Sequence, residues 1–191
     1  MKVSKDHSIA FAWVGMVGVA AFITVWLCAE NADAAWQFGV NTLSEFGISD
    51  TDAKLYFNFG CMITGILVAV FGVGRTLYAK NAGHIAGGVF LFFGGIALAL
   101  VGFFTMDDGN IHNFVAIAAA LFIFLAMIAV AAGNWVANRH IFAGVGIVIV
   151  CLLIAMYFAY DVAELEGYGI ILAMIWFVVE SVNMIISRRK I

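Results

Sequence analysis

Ser44, Glu45, Asp107, Asp108, His112 and Asp161 are the residues of this chain whose types could do chemistry together. A hydroxyl, several carboxylates and one imidazole are the parts of two different machines. In the first, Glu45, His112 and one or two of Asp107, Asp108 and Asp161 hold a divalent metal, with Glu45, Asp108 and His112 as the preferred ligands. Only one histidine falls among them, so a three-histidine zinc site is excluded. The carboxylates suit a hard cation or a mixed zinc site. Such an ion would activate water against a phosphoester or acyl ester of a lipid head group. In the second machine Ser44 is the nucleophile, His112 the base, and a carboxylate such as Asp107 orients the imidazole. No G-x-S-x-G turn supports that version. A third reading needs no covalent step and makes the cluster a cation-binding vestibule.

These residues lie in "NTLSEFGISDTDAK" (41–54), "FFTMDDGNIHNF" (103–114) and "YFAYDVAELEGYG" (157–169), each between two long apolar runs. The runs cover 9–28, 55–77, 85–104, 114–133, 141–160 and 168–186. Each has about the 20 residues needed to cross a bilayer core. Backbone polar groups in lipid must be satisfied within the segment, and the runs do not alternate as barrel strands do, so they are helices. Apolar residues are 65% of the chain and charged residues 11%, against about 25% charged in soluble domains. The mean hydropathy is +1.08. A soluble or disordered chain is excluded; the expected fold is all-α, one integral membrane domain over residues 1–191, a six-helix bundle.

Eight of the nine Lys and Arg fall at one end of this bundle; only Lys54 lies opposite. The positive-inside rule puts both termini in the cytoplasm and the acidic loops outside the cell membrane. An acidic outer face gives nucleic acid nothing to bind. The first run is longer than a signal-peptide core, so it is read as a retained helix. Cys28, Cys61 and Cys151 have no metal-like spacing and are read as small buried fillers. In the third helix, glycines 87 and 94, and 88, 95 and 102, recur every seven residues. That predicts a central helix with close neighbours on its glycine faces.

Capping offers a cheaper use for some of the loop residues: Ser49 or Asp50 before the second helix, Asp108 or Asn110 before the fourth. It does not account for Glu45 or His112, which are expected to meet within hydrogen-bond reach or share an ion or water. Ala34–Phe46 is expected to lie along the outer interface, with Trp36, Phe38, Leu43 and Phe46 in the head groups. Glu180, alone inside the sixth run, is either functional or paired with Arg75 or His84.

"NTLSEFG", then "LYFNFGCMITGIL", and later "GFFTMDDGNIHNFVAIAAALFIF" resemble the prokaryotic membrane family called domain of unknown function 998. Its members show Ser-Asp/Glu-Leu-Gly after helix one, an Asn early in helix two and an Asp…His pair entering helix four. The resemblance implies that Ser44, Glu45, Gly47, Asn58, Asp107 or Asp108, and His112 hold those places, with Phe46 replacing the usual Leu. Asn58 thereby joins Asp161 and Glu180 as a binding candidate. The family is distantly similar to the eukaryotic Frag1-type proteins, which act in remodelling glycosylphosphatidylinositol lipids, and this implies membrane lipids as partners. The expected function is a lipid-directed hydrolase or remodelling enzyme at the extracytoplasmic face. The alternatives are a small-molecule or cation binding or transport protein, or a structural or regulatory subunit. The sequence leaves the oligomeric state open.

Overall fold

The computed structural model describes residues 5–189, with side chains from His7 to Ser187. Lys2 and Lys190 lie outside the described residues, as do the side chains of Lys5, Arg188 and Arg189. Six helices follow one another: α1 (Lys5–Ala32), α2 (Ala53–Leu77), α3 (Ala82–Phe103), α4 (Asn110–Val136), α5 (His140–Ala159) and α6 (Val162–Arg189). All six are long and apolar enough to cross a membrane. At 28 residues, α1 spans about 42 Å at 1.5 Å per residue, beyond the roughly 30 Å of a hydrocarbon core. This helix therefore overruns its apolar run into the polar layer.

Each helix packs on the next, and α1 also packs on α6, which closes the ring. The middle of the bundle is sealed by Leu91, Met127, Val130, Phe71 and Trp176, contributed by α2, α3, α4 and α6. The glycine pattern of α3 resolves into two faces. Side chains added at Gly88 and Gly95 would collide with the backbone of α2 at Gly72, Thr76, Gly65 and Ala69. Added at Gly87 and Gly94, they would meet Val130, Phe122 and Ile123 of α4. No groove for a lipid tail is left on these faces; the backbone of α2 and the side chains of α4 fill them. Close approach is what small residues give a membrane helix.

Three expectations need correction. The segment after Ala32 does not lie along the surface: Trp36, Leu43 and Phe46 are buried, and Trp36 stacks on Phe46 at 4.5 Å. Only Phe38 stays exposed among the four named residues. Burying three large side chains exceeds what a head-group layer offers them, so the segment folds inward as a plug. Cys28 and Cys151 are exposed on the helix surface; Cys61 alone is buried. Finally, α6 begins six residues before its apolar run. Asp161 Oδ1 accepts from the Glu164 N–H at 3.0 Å and starts the helix, so Glu164 and Glu166 are helical, not loop, residues.

Candidate functional site

At the acidic end a 3-10 turn, Leu43–Ile48, packs against α2, α6 and the short 106–108 turn. Glu45 closes this turn on itself. Its Oε1 accepts from the Thr42 N–H at 2.7 Å and from the Thr42 hydroxyl at 3.1 Å, while Oε2 accepts from the Asn41 amide at 2.6 Å. Burial would raise the Glu45 pKa, but the hydrogen bonds from Thr42 and Asn41 outweigh it and hold the carboxyl below its ordinary 4.5. Capping does account for Glu45. Thr42 and Glu45 form a capping box that satisfies donors no helix carbonyl can reach.

A second carboxylate pins the same turn from α6. Glu166 Oε2 accepts from the Leu43 N–H at 3.2 Å, and Ser44 hydrogen-bonds it as well. Asn58 of α2 ties down the far end by donating to the Gly47 carbonyl at 3.1 Å. Its Oδ1 sits where a side chain at position 47 would go, so glycine is needed there. Ser44, Glu45, Gly47 and Asn58, four of the residues carrying the resemblance, are thus brought together around one turn.

His112 is not brought to Glu45 by any hydrogen bond. Its Nδ1 donates to the Phe104 carbonyl at 2.7 Å, within its own loop and helix. The buried imidazole thereby seals the end of α3 against the start of α4. Asp108 Oδ2 accepts from the Thr105 N–H at 2.8 Å in a capping box of the short 106–108 turn. Asp107 is exposed there, and Asp161 caps α6. Among the described residues no three His, Cys, Asp or Glu side chains are grouped to hold a metal ion. The ligand set of Glu45, Asp108 and His112 is therefore not assembled: each side chain is held by its own local donor or acceptor. Ser44 meets Glu166, a carboxylate that sequence reasoning counted only among the outer charges.

The opposite end holds a denser constellation. Arg75 Nη2 of α2 lies 2.8 Å from Glu180 Oε2 of α6, and both residues are buried. Asn134 of α4 donates to Glu180 Oε1 at 2.8 Å; Asn183 of α6 donates to Glu180 Oε2 and to Asn134 Oδ1, each at 2.9 Å. His84 Nε2 of α3 is 3.1 Å from Asn134 Oδ1. Arg139, in the α4–α5 connection, donates to Asn183 Oδ1 at 2.6 Å. Of the two partners expected for Glu180, the structure gives Arg75; His84 joins through Asn134. Buried polar groups in a membrane are costly unless connected in this way.

Beside this network lies a partly open cavity of about 30 Å³, lined by Arg75, Lys80, His84, Asn134, Arg139 and Asn183 among others. It has room for about two waters or for the tip of a charged group. Among the described residues that line it three are cationic and none is acidic; Glu180 is paired with Arg75. Arg75 Nε is buried with no hydrogen-bond partner. Burial first, then the charge of Arg75, lower the pKa of Arg139, with Glu180 offsetting part of the effect. Sequence reasoning missed Asn134, Arg139 and Glu166 as site residues. The readable signal was a polar residue, Asn134, on an apolar helix near the depth of Arg75 and Glu180.

A family described as a protein of unknown function, DUF998, matches residues 16–183. The chain belongs to the DUF998 family. No curated protein and no solved structure matches it. In this DUF998 protein Ser44, Glu45, Gly47 and Asn58 meet as a loop anchor, while the cationic pocket stands at the other end of the bundle.

Proposed function

We propose that this DUF998 protein is a membrane-embedded binding protein for a small anionic group, taken up at the basic end. The observation that carries this is the cavity beside Arg75 and Arg139, which has no carboxylate among its described lining residues. In low dielectric such an excess of like charge is relieved by an anion. Under the positive-inside rule this mouth faces the cytoplasm of the cell. The anion is either a soluble solute or the head group of a membrane lipid, and the latter keeps the lipid-directed role within reach.

Hydrolysis at the acidic end has less behind it. Its one support is the Ser44 hydroxyl against Glu166. The expected serine–histidine pair needs the Ser44 hydroxyl on the imidazole, whereas the His112 ring bonds the Phe104 carbonyl. Binding is the better-founded reading.

Calorimetry on the full-length protein in detergent, at constant ionic strength, tests it with inorganic phosphate, sulfate and succinate. Saturable binding of at least one anion is expected, with Arg139→Gln weakening it by about tenfold, the loss of one charged hydrogen bond. If none of the three anions binds, the reading is overturned.

A further inference from the structure

The acidic end holds a carboxyl that the anion pocket does not use. Glu166 stands on the first turns of α6, before the apolar run 168–186 and so outside the segment that crosses the hydrocarbon. The residue is half-buried, and its carboxyl reaches inward to Leu43 and Ser44, both buried. Oε2 accepts from the Leu43 N–H at 3.2 Å, and Ser44 hydrogen-bonds the same carboxyl. One residue on, the Phe38 ring covers Gly167 and meets Tyr168 at 5.0 Å. The Glu166 carboxyl and the Phe38 ring thus tie the segment 33–48 to α6.

Among the described residues no Lys, Arg or His forms an ion pair with this carboxyl. Lys54, the one Lys or Arg of this end, is exposed at the start of α2. The groups that face Glu166 are Glu45 from the turn, whose charge repels it, and the buried Cys61 thiol from α2. α1 brings Glu30 and, just beyond its end, Asp33, which accepts from the Ser49 hydroxyl at 2.6 Å. Beyond α5 the Tyr160 ring packs on Tyr168 at 5.6 Å. On α6 itself Asp161 caps the helix and Glu164 stands beside Gly39. A charged carboxylate in such surroundings is costly, whereas a neutral acid is not. The neutral acid also fits the bonds, one oxygen accepting from Leu43 while the acid hydrogen goes to Ser44 Oγ. Burial pushes the Glu166 carboxyl up from the ordinary 4.5 to about 7; the bonds from Leu43 and Ser44 return only part of that, and the Glu45 charge adds to it.

We infer that Glu166 is a proton-binding site that latches the outer turn to α6: with its hydrogen the acid holds Leu43 and Ser44, and without it the turn is released more readily. This site lies at the opposite end from the anion pocket and does not depend on it. An undocked turn keeps the bond from the Thr42 N–H to Glu45, which lies wholly within it, and loses the bonds to Glu166. A carboxyl released to water returns to its ordinary 4.5, so the docked turn binds the proton more tightly. Docking is therefore firmest in mild acid, weakens as the pH rises from about 4.5 to about 7, and is level above that.

Hydrogen exchange on the full-length protein in phosphatidylcholine discs, from about pH 5 to about pH 8, tests the latch. The protection factor of the Leu43 amide, whose acceptor is Glu166, is expected to rise as the pH falls below about 7, by up to about tenfold per pH unit. That of Thr42, whose acceptor is Glu45 in the same turn, should stay level. In Glu166→Gln the side-chain carbonyl accepts and the amide donates, as the protonated acid does. Leu43 should then be protected throughout the range and its slope lost. A level Leu43 profile in the unaltered protein overturns the inference without any variant. A slope kept in Glu166→Gln overturns it too, since another group would then be titrating. So does a slope shared by Thr42, which would mean that the turn melts instead of undocking.

Discussion

Nη2 of Arg75 lies 2.8 Å from Oε2 of Glu180, with both side chains inside the bundle. The contact joins α2 to α6, and Asn134 brings in α4 through the other carboxylate oxygen. Removing one partner of a buried ion pair leaves an uncompensated charge, which costs about 3–5 kcal/mol. Glu180→Gln should therefore lower stability by that order in a denaturant titration of detergent-solubilised protein. The double change Arg75→Gln, Glu180→Gln should cost no more than the single one, because the second removes the stranded charge. Additive losses would show that the pair does not act as a unit.

Glu45 makes the acidic end sensitive to acid. Its folded pKa lies below the ordinary 4.5, so its contribution to stability is complete above about pH 4.5 and is lost as the pH falls through the lowered value. The protection factor for hydrogen exchange at Thr42, the rate relative to that of an unstructured amide at the same pH, should fall over that acidic window and be flat near neutrality. Glu45→Gln should remove the pH dependence and loosen the turn by about 0.5–2 kcal/mol, the range of a lost cap. Unchanged exchange at Thr42 in that variant would show that the carboxylate does not hold the turn.

The bundle was legible because lipid leaves a sequence few choices: a run of about 20 apolar residues has to be a helix. The packing of α3 was legible for a similar reason, since Gly88 and Gly95 repeat at the spacing of one helix face. Glu45 was misread although its signature is plain. Thr42-x-x-Glu45 is a capping box, but it opens a six-residue turn and no long helix follows to announce it. Glu166 escaped because α6 begins in polar residues, before the apolar run that marks it. His112 illustrates a different limit. An imidazole at a wet helix entrance looks the same in sequence whether it faces a distant carboxylate or the Phe104 carbonyl eight residues back. The basic pocket depends on Arg75, His84, Asn134, Arg139 and Glu180 meeting from five parts of the chain, and nothing local encodes that meeting.

The tight α2–α3 contact yields the remaining prediction. A methyl group at Gly95 would run into the Ala69 amide nitrogen and the Gly65 carbonyl, neither of which can move without shifting a helix. Gly144 of α5, in contrast, has nothing within 4 Å of the position a side chain would take. Gly95→Ala should therefore destabilise by about 1–3 kcal/mol, the usual cost of overpacking. Gly144→Ala should be neutral or gain up to about 1 kcal/mol from helix propensity. Thermal unfolding of the two variants side by side in the same detergent reads the difference. Equal midpoints would mean that α2 and α3 do not approach backbone to backbone, and that the seven-residue glycine spacing has another cause. A lowered midpoint for Gly95→Ala alone ties that spacing to the contact that brings Arg75, at the end of α2, beside His84, at the start of α3.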